Sequence, residues 1–294
     1  MYEQDWLAER FEQYRPRLRA VSYRMLGSLS EADDAVQEAW LRLSGADTSK
    51  VDDLGAWLTT VVARICLNVL RSRKARREEP LDPHLPDPIV SAVDSVDPED
   101  EALTADSVGL ALLIVLETLA PAERLAVVLH DAFDVPFEQI ASIIDRSEPA
   151  TRQLASRARR RLRTTPTPDT GISEQWEVVD AFLAAAREGD FDALLTVLDP
   201  DVVLRADVGQ AGLIPSRIER GARAVASGAV AFNKLSGYVP QRALVNGAPG
   251  VVTLAGDEPF AVLGFTVAGG KIVEMNILAD PVRLRQLDLT VLTR

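Results

Sequence analysis

Residues 137–163 read FEQIASIIDRSEPATRQLASRARRRLR. Two short helices joined by a tight turn account for this stretch. In FEQIASIID, Phe137, Ile140, Ile143 and Ile144 recur at helical spacing and form one apolar face. Asp145 and Arg146 make the turn. Ser147 suits the N-cap of the next helix, since its hydroxyl can accept from an unpaired N–H of the first turn, and Glu148 and Pro149 suit that turn. The second helix is expected to bury Ala150, Leu154, Ala158 and Leu162 and to expose Arg152, Gln153, Ser156, Arg157 and Arg160. This is the form of a helix-turn-helix whose second helix reads the major groove. Arginine can pair there with guanine and glutamine with adenine. A purely structural hairpin fits the spacing too, but residues 149–165 carry six basic residues and no acid, for which such a hairpin has no use.

A second basic segment lies upstream. A helix from about Ala56 to Arg73 is expected to bury Trp57, Leu58, Val61, Val62, Ile65 and Val69. It carries Thr60, Arg64, Asn68 and Arg71 along one polar stripe. A hydroxyl, an amide and two guanidiniums suit both phosphate and base-edge contacts. The segment ends in RSRKARR, including Arg73 and Lys74, which would grip a phosphate backbone electrostatically. A solvated basic C-terminus favoured by the helix dipole is the alternative. Further upstream, Ser30-Glu-Ala-Asp33 fits a capping-box start. In the helix that follows, Val36, Ala39, Trp40 and Leu43 face inward, and Asp34, Gln37 and Glu38 share the opposite face. That face is either solvated or a dock for a basic partner.

The chain has 294 residues and a formal net charge of -12, which alone speaks against nucleic-acid binding. The distribution reverses this. Residues 61–77 hold Arg64, Arg71, Arg73, Lys74, Arg76 and Arg77 with no acid, whereas residues 78–101 hold nine acids and no base. Rich in Pro and Asp, 78–101 reads as an extended linker. TTPTPDTG at 164–171 reads as a second. Beyond it, the amphipathic WEVVDAFLAAAREGD precedes β-branched runs broken by Gly and Pro, with a hairpin turn at 267–271. The expected fold class is multidomain: two all-α helical domains at 5–77 and 103–165, an acidic linker at 78–102, and an α+β domain at 174–294. With one cysteine, Cys66, and two histidines, His84 and His130, no intrachain disulfide can form, and metal clusters and histidine catalysis are poorly supported. No catalytic residue, metal or cofactor is expected. No apolar run approaches the roughly 18 residues that span a bilayer. The charged N-terminus lacks a signal-peptide core, so a cytoplasmic protein without membrane contact is expected.

Together these segments resemble the extracytoplasmic-function (ECF) sigma factors, initiation subunits of bacterial RNA polymerase. DDAVQEAWLRL followed by GAWLTTVVARICLNVLRSRKARR is similar to their region 2. LETLAPAERLAVVLHDAFDVPFEQIASIIDRSEPATRQLASRARRRL is similar to their region 4. The resemblance covers roughly residues 5–165, with both motifs in order. It implies that Asp34, Gln37, Glu38 and Leu41 dock on the coiled-coil clamp of the largest subunit of core RNA polymerase. It implies that Thr60, Arg64, Asn68, Arg71, Arg73 and Lys74 face the −10 element. The loop 44–53 sits where the family captures a flipped base of melted DNA. Ser147, Thr151, Arg152, Gln153, Ser156, Arg157 and Arg160 correspond to the reader of the −35 element in double-stranded promoter DNA. The acidic linker matches the segment that threads positively charged polymerase channels.

The C-terminal part resembles the SnoaL-like domain, an α+β cone with a curved sheet, which one group of these sigma factors carries. Glu79-Pro80-Leu81 matches the end of that group's linker motif. Pro281 and Leu284 match a C-terminal motif in which Arg283 replaces a lysine. The group's Gly-rich loop is degraded here to Asp207-Val-Gly-Gln-Ala. The resemblance implies regulation in cis, through intramolecular contact of this domain with region 2 or the linker and involving Glu79, Pro80, Leu81, Asp207, Pro281, Arg283 and Leu284. Asp207 reads as a turn residue in preference to a buried base, and 174–294 contains no histidine, so no enzyme is expected. Two other function classes stand beside this one. They are a helix-turn-helix regulator independent of polymerase, and a small-molecule sensor or enzyme built on the C-terminal domain.

Overall fold

The computed structural model describes residues 2–46, 51–75, 84–93, 109–163, 166–169, 171–209, 215–234, 238–256 and 258–290. The chain divides into two compact units. Met1–Glu79, Asp97–Asp106 and Leu112–Thr164 form the first; Pro80–Val96, Ser107–Ala111 and Thr165–Arg294 form the second.

The first unit is helical. It opens with α1 (Tyr2–Leu26), α2 (Leu29–Ser44) and α3 (Leu54–Ala75). Helix α2 starts earlier than Ser30-Glu-Ala-Asp33 suggests. Gly27, at φ 72°, breaks the chain after α1, so the next residue, Ser28, becomes the N-cap and accepts from the Glu31 N–H at 3.5 Å. Helix α3 buries Leu58, Thr59, Val62, Ala63, Ile65, Cys66, Leu67 and Leu70, while Trp57, Val61 and Val69 are only half-buried. The one-sided stripe expected of it is too narrow, because α3 is packed by α1, α2 and two later helices at once. Helix α3 is long and apolar enough to cross a membrane by length and composition alone; its buried residues make it the core helix of this unit.

The rest of the unit comprises α4 (Leu110–Glu117, which begins in the second unit), α5 (Pro121–Val127) running into a π-helical turn (Val128–Ala132), α6 (Phe137–Ile144) and α7 (Glu148–Leu162). Helix α6 ends where Asp145 adopts the left-handed conformation at φ 57°, and Ser147 caps α7 by accepting from the Ala150 N–H at 3.4 Å. Helix α7 turns Thr151, Ala155 and Ala158 inward, and the expected Ala150, Leu154 and Leu162 are half-buried. Three small side chains let α7 approach α5 and α6 closely. Between the α1 and α5–α7 regions, Arg124 is buried and donates through Nε to Arg24 O at 3.0 Å. Desolvation pulls its guanidinium down to about 10. Arg17 donates to Phe133 O at 2.7 Å, and the Arg24 guanidinium lies 4.8 Å from the Phe133 ring centre.

The second unit is α+β, as the sequence leads one to expect. Its helices are α8 (Ile172–Glu188), α9 (Phe191–Val197), α10 (Ala222–Lys234) and α11 (Pro281–Leu284). Its strands are β1 (Val90–Ser91), β2 (Leu198–Asp207), β3 (Arg217–Arg220), β4 (Tyr238–Val245), β5 (Ala248–Ala255), β6 (Glu258–Ala268) and β7 (Lys271–Leu278). They make one open sheet in the order β1-β4-β5-β6-β7-β2-β3, antiparallel except for β2 beside β7. Two-residue turns at Asn246-Gly247 and Gly269-Gly270 have positive φ at both positions, the geometry that matches strand twist. Trp176, Val179 and Phe182 of α8, Leu194 of α9 and Val225 of α10 share one core with Val202, Leu204, Val251, Phe265 and Met275 of the sheet. Asp169, in the second linker, is pinned to the β6–β7 hairpin, accepting from the Gly269 and Gly270 N–H groups at 2.9 Å each.

The described part of the acidic linker is not a solvated spacer: Leu85 to Ser91 are all buried in the second unit. Val90 and Ser91 form β1 and pair with Val245 and Leu244 of β4. Pro and Asp dominate the linker's composition, but Leu85, Ile89 and Val90 supply apolar surface that the sheet edge takes up.

Candidate nucleic-acid interface and linker clasp

Helix α2 presents Asp34, Gln37, Glu38 and Leu41 on one exposed face, because its apolar residues Ala32, Ala35, Val36, Ala39 and Leu43 all turn inward. Leu41 is 62% exposed, a solvated leucine at the end of an acidic stripe. Glu38 is ion-paired with Arg42, one turn along the same helix.

On α3, Arg64, Asn68, Arg71 and Lys74 are exposed. Thr60 is half-buried and donates to Ala56 O at 3.0 Å. Arg73 does not join them: its guanidinium turns back to Leu26 O at 3.2 Å and pairs with Glu31 of α2. This ion pair ties the two helices, a use that a run of basic residues does not reveal. Arg64 donates to Ser142 O of α6 at 3.4 Å, so the polar stripe of α3 touches the first helix of the helix-turn-helix.

On α7, Arg152, Gln153, Ser156, Arg157 and Arg160 share the exposed side. Arg152 lies along Phe137, 4.8 Å from the ring centre, and pairs with Glu148 at 2.6 Å. Thr151 departs from the expected set. It is fully buried and donates to Ser147 O at 3.0 Å, which removes it from any surface that meets DNA. Arg159 is committed to Asp131 at 2.8 Å. Five side chains, Arg152 to Arg160, therefore remain for contact along α7.

A second constellation sits in the α+β unit. Arg283, on α11, donates through Nε to Asp87 Oδ1 at 2.9 Å, through Nη2 to Asp87 Oδ1 and Leu85 O at 2.5 Å each, and through Nη1 to Asp207 Oδ2 at 2.7 Å. Asp207 is 5% exposed at the end of β2; it also accepts from the Leu85 N–H at 3.0 Å and from the Gly209 N–H at 3.2 Å. It thus makes the turn the sequence suggests and is a buried anion as well. Further along, Asn246 exchanges two bonds with Ile89: its side chain accepts from the Ile89 N–H at 3.1 Å and its own N–H donates to Ile89 O at 2.8 Å. Leu284 is buried, and Pro281 opens α11 after Asp280, which caps it. Glu79, Pro80 and Leu81 lie outside the described residues, as do 47–50 of the loop 44–53. His84 approaches Asp207 at 3.6 Å, so the unit holds a histidine although 174–294 has none. Asp87, Leu85 and Asn246 were missed in the sequence; the only signal was an aliphatic residue on each side of a Pro-Asp-Pro. Among the described residues no group of histidine, cysteine or carboxylate side chains is placed to hold a metal ion.

Comparison with known proteins agrees with the helical units. Residues 10–76 match the Sigma-70 region 2 family and residues 110–162 match Sigma-70, region 4. The chain is 38% identical to the ECF RNA polymerase sigma factor SigJ of Mycobacterium tuberculosis, over 92% of this chain and 91% of that protein. It is 36% identical to the probable ECF RNA polymerase sigma factor SigI of the same species, over 98% of each. The crystal structure of M. tuberculosis SigJ superposes with a TM-score of 0.78 at 35% identity, covering 96% of this chain and 99% of that one.

Proposed function

The chain belongs to the ECF RNA polymerase sigma factors, and from that premise we propose how its surfaces divide the work of initiation and how its α+β unit governs it. Asp34, Gln37, Glu38 and Leu41 dock on core RNA polymerase. Arg64, Asn68, Arg71 and Lys74 face the −10 element, part of it as melted DNA; Thr60 supports them. Arg152, Gln153, Ser156, Arg157 and Arg160 read the −35 element in duplex DNA, with Ser147 fixing the start of the reading helix. The work is done in the cytoplasm, where polymerase and chromosome meet, and involves no catalysis by the chain. The observation that carries this reading is the exposed basic side of α7, five polar or cationic side chains on a helix capped at the right place to enter a major groove. In vitro transcription with sigma-free core polymerase tests it. Initiation at promoters of the source genome is expected, and failure at all of them refutes it.

The α+β unit acts in cis through the linker. In this family the segment between regions 2 and 4 runs through polymerase channels; here its middle is folded into a groove of the α+β unit by Arg283, Asp207 and Asn246. The same residues cannot occupy both places. The clasp therefore restrains the factor until the linker leaves the groove. Regulation by a tethered element needs little intrinsic affinity, since tethering supplies an effective concentration up to the millimolar range. Transcription by a variant with Arg283→Ala tests this, with increased initiation at limiting polymerase as the expected result.

A further inference from the structure

The linker is held in the manner of a peptide ligand. It adds an antiparallel strand to β4 through Val90 and Ser91. It is bracketed by Asn246 at Ile89 and enters an ionic socket, Arg283 with Asp207, through Asp87 and the Leu85 backbone. Main-chain pairing to a sheet edge with side-chain pockets at fixed intervals is a recognised mode of peptide binding. Once the linker leaves, β4 becomes an edge at Leu244 and Val245, and the Arg283 cation faces one carboxylate where it had faced two. An open edge beside a cation that has lost one of its carboxylates is a template for another extended chain. Elsewhere on β4, Pro240 interrupts the edge and Arg242 is exposed, so the template is confined to one end.

We propose that this groove is a peptide receptor. When the linker is drawn out it accepts an extended segment of another protein, with an aliphatic residue, a proline-flanked acid two positions on, and a β-branched pair two positions beyond that. The spacing is that of Leu85, Asp87, Ile89 and Val90. Charge complementarity selects the acid, because Arg283 is the socket's cation and Asp207 alone does not saturate its donors. Such a partner holds the groove open and the linker free, so it acts as an activator. The activator role rests on the cis reading above; peptide binding itself does not.

The probe is a fluorescein-labelled synthetic peptide of residues 83–93, PHLPDPIVSAV, added to the full chain. Ile89→Asp expels the linker from the groove. This variant should bind the peptide at least about tenfold more tightly than the unaltered chain, whose groove is occupied in cis. A peptide with Lys in place of the aspartate, or the further change Arg283→Ala, should abolish the gain. Equal binding to both chains, or indifference to the Asp-to-Lys change, overturns the proposal. If Ile89→Asp loses its circular-dichroism signature, hydrogen exchange on the unaltered chain decides: millimolar peptide should accelerate exchange at the Leu85 and Ile89 amides, and no acceleration overturns the proposal. A dimeric mass of the unaltered chain by light scattering, lost on adding peptide, would assign the groove to the linker of a second copy and overturn the other-protein form. Polymerase is absent throughout, so these outcomes stand apart from the transcription test of the cis reading.

Discussion

Replacing Arg283 by alanine should open the linker without unfolding the unit that holds it. The guanidinium serves two buried carboxylates, Asp87 and Asp207, and the Leu85 carbonyl. Removing one member of a buried ionic group costs about 3–5 kcal/mol, because its partners keep their desolvation penalty and lose their countercharge. Asp87 can escape that penalty by returning to water, but only if the linker comes with it. The linker is also held by the two bonds between Asn246 and Ile89, by the Leu85 N–H bond to Asp207 and by pairing with β4. Full burial of Leu85, Ile89 and Val90 contributes about 1.5–3 kcal/mol each. Fixing the backbone from Leu85 to Ser91 costs about 1–2 kcal/mol per residue, somewhat less at Pro86 and Pro88. These two sums are of similar size, so the margin rests on the clasp and the pairing with β4. Hydrogen exchange reads the result directly. The Leu85 and Ile89 amides, whose acceptors are Asp207 and Asn246, should exchange about a hundredfold faster or more in Arg283→Ala. Amides around Val179, in the core of α8, should keep their protection. Arg283→Lys should lie between, since one ammonium cannot reproduce a fork that reaches two carboxylates and a carbonyl. If Leu85 and Ile89 change no more than Val179, the clasp does not hold the linker and the reasoning fails.

Other outcomes follow from the helical unit. Arg152→Ala should weaken −35 binding by about 1–3 kcal/mol and relax sequence preference there, read by fluorescence anisotropy on promoter duplexes. Thr151→Ala should leave that preference unchanged and cost about 1 kcal/mol of stability through its lost bond to Ser147 O, read by urea unfolding. Glu38→Arg should abolish core-polymerase binding in a pull-down while leaving the circular-dichroism spectrum intact, since the side chain is exposed. Burial pushes the Cys66 thiol up to about 12. The unfolded chain ionises this thiol near its ordinary value and the folded chain does not. Stability is therefore complete below that value and falls by about 1.4 kcal/mol per pH unit as pH rises toward 12. Unfolding midpoints should fall less steeply with alkaline pH in Cys66→Ala.

The helix-turn-helix was legible almost residue by residue, because caps, turn residues and apolar spacing in 137–163 all agree locally. Exposure was less so. Thr151 and Arg73 both have the residue type of a DNA contact, yet one is buried against the turn before it and the other is spent on Glu31. Tertiary neighbours decide such cases, and spacing along one helix carries no record of them. The strands β4 to β7 announced themselves by β-branched runs and paired turn residues, whereas β3, α9 and α10 lack that pattern and went unread. The linker misled most. Its charge and prolines suggest a free spacer, but a sheet edge offers backbone partners to nearly any sequence, and only Leu85, Ile89 and Val90 hinted that this one is used.

If the clasp and polymerase compete for one segment, as proposed, their coupling is reciprocal: whatever factor the clasp takes from polymerase binding, polymerase takes from the clasp. A groove that holds the linker by about 3 kcal/mol lowers apparent affinity for core polymerase about a hundredfold. Truncation after Arg163 removes the groove, and Arg283→Ala disables it in place. If competition for the linker is the whole of the regulation, both changes raise affinity for core polymerase in a titration by the same factor. A truncated chain that binds more weakly than Arg283→Ala would mean that the α+β unit also contributes a contact to polymerase. Truncation and point change that both leave affinity untouched would refute the competition, however firmly the linker is seen to sit in its groove.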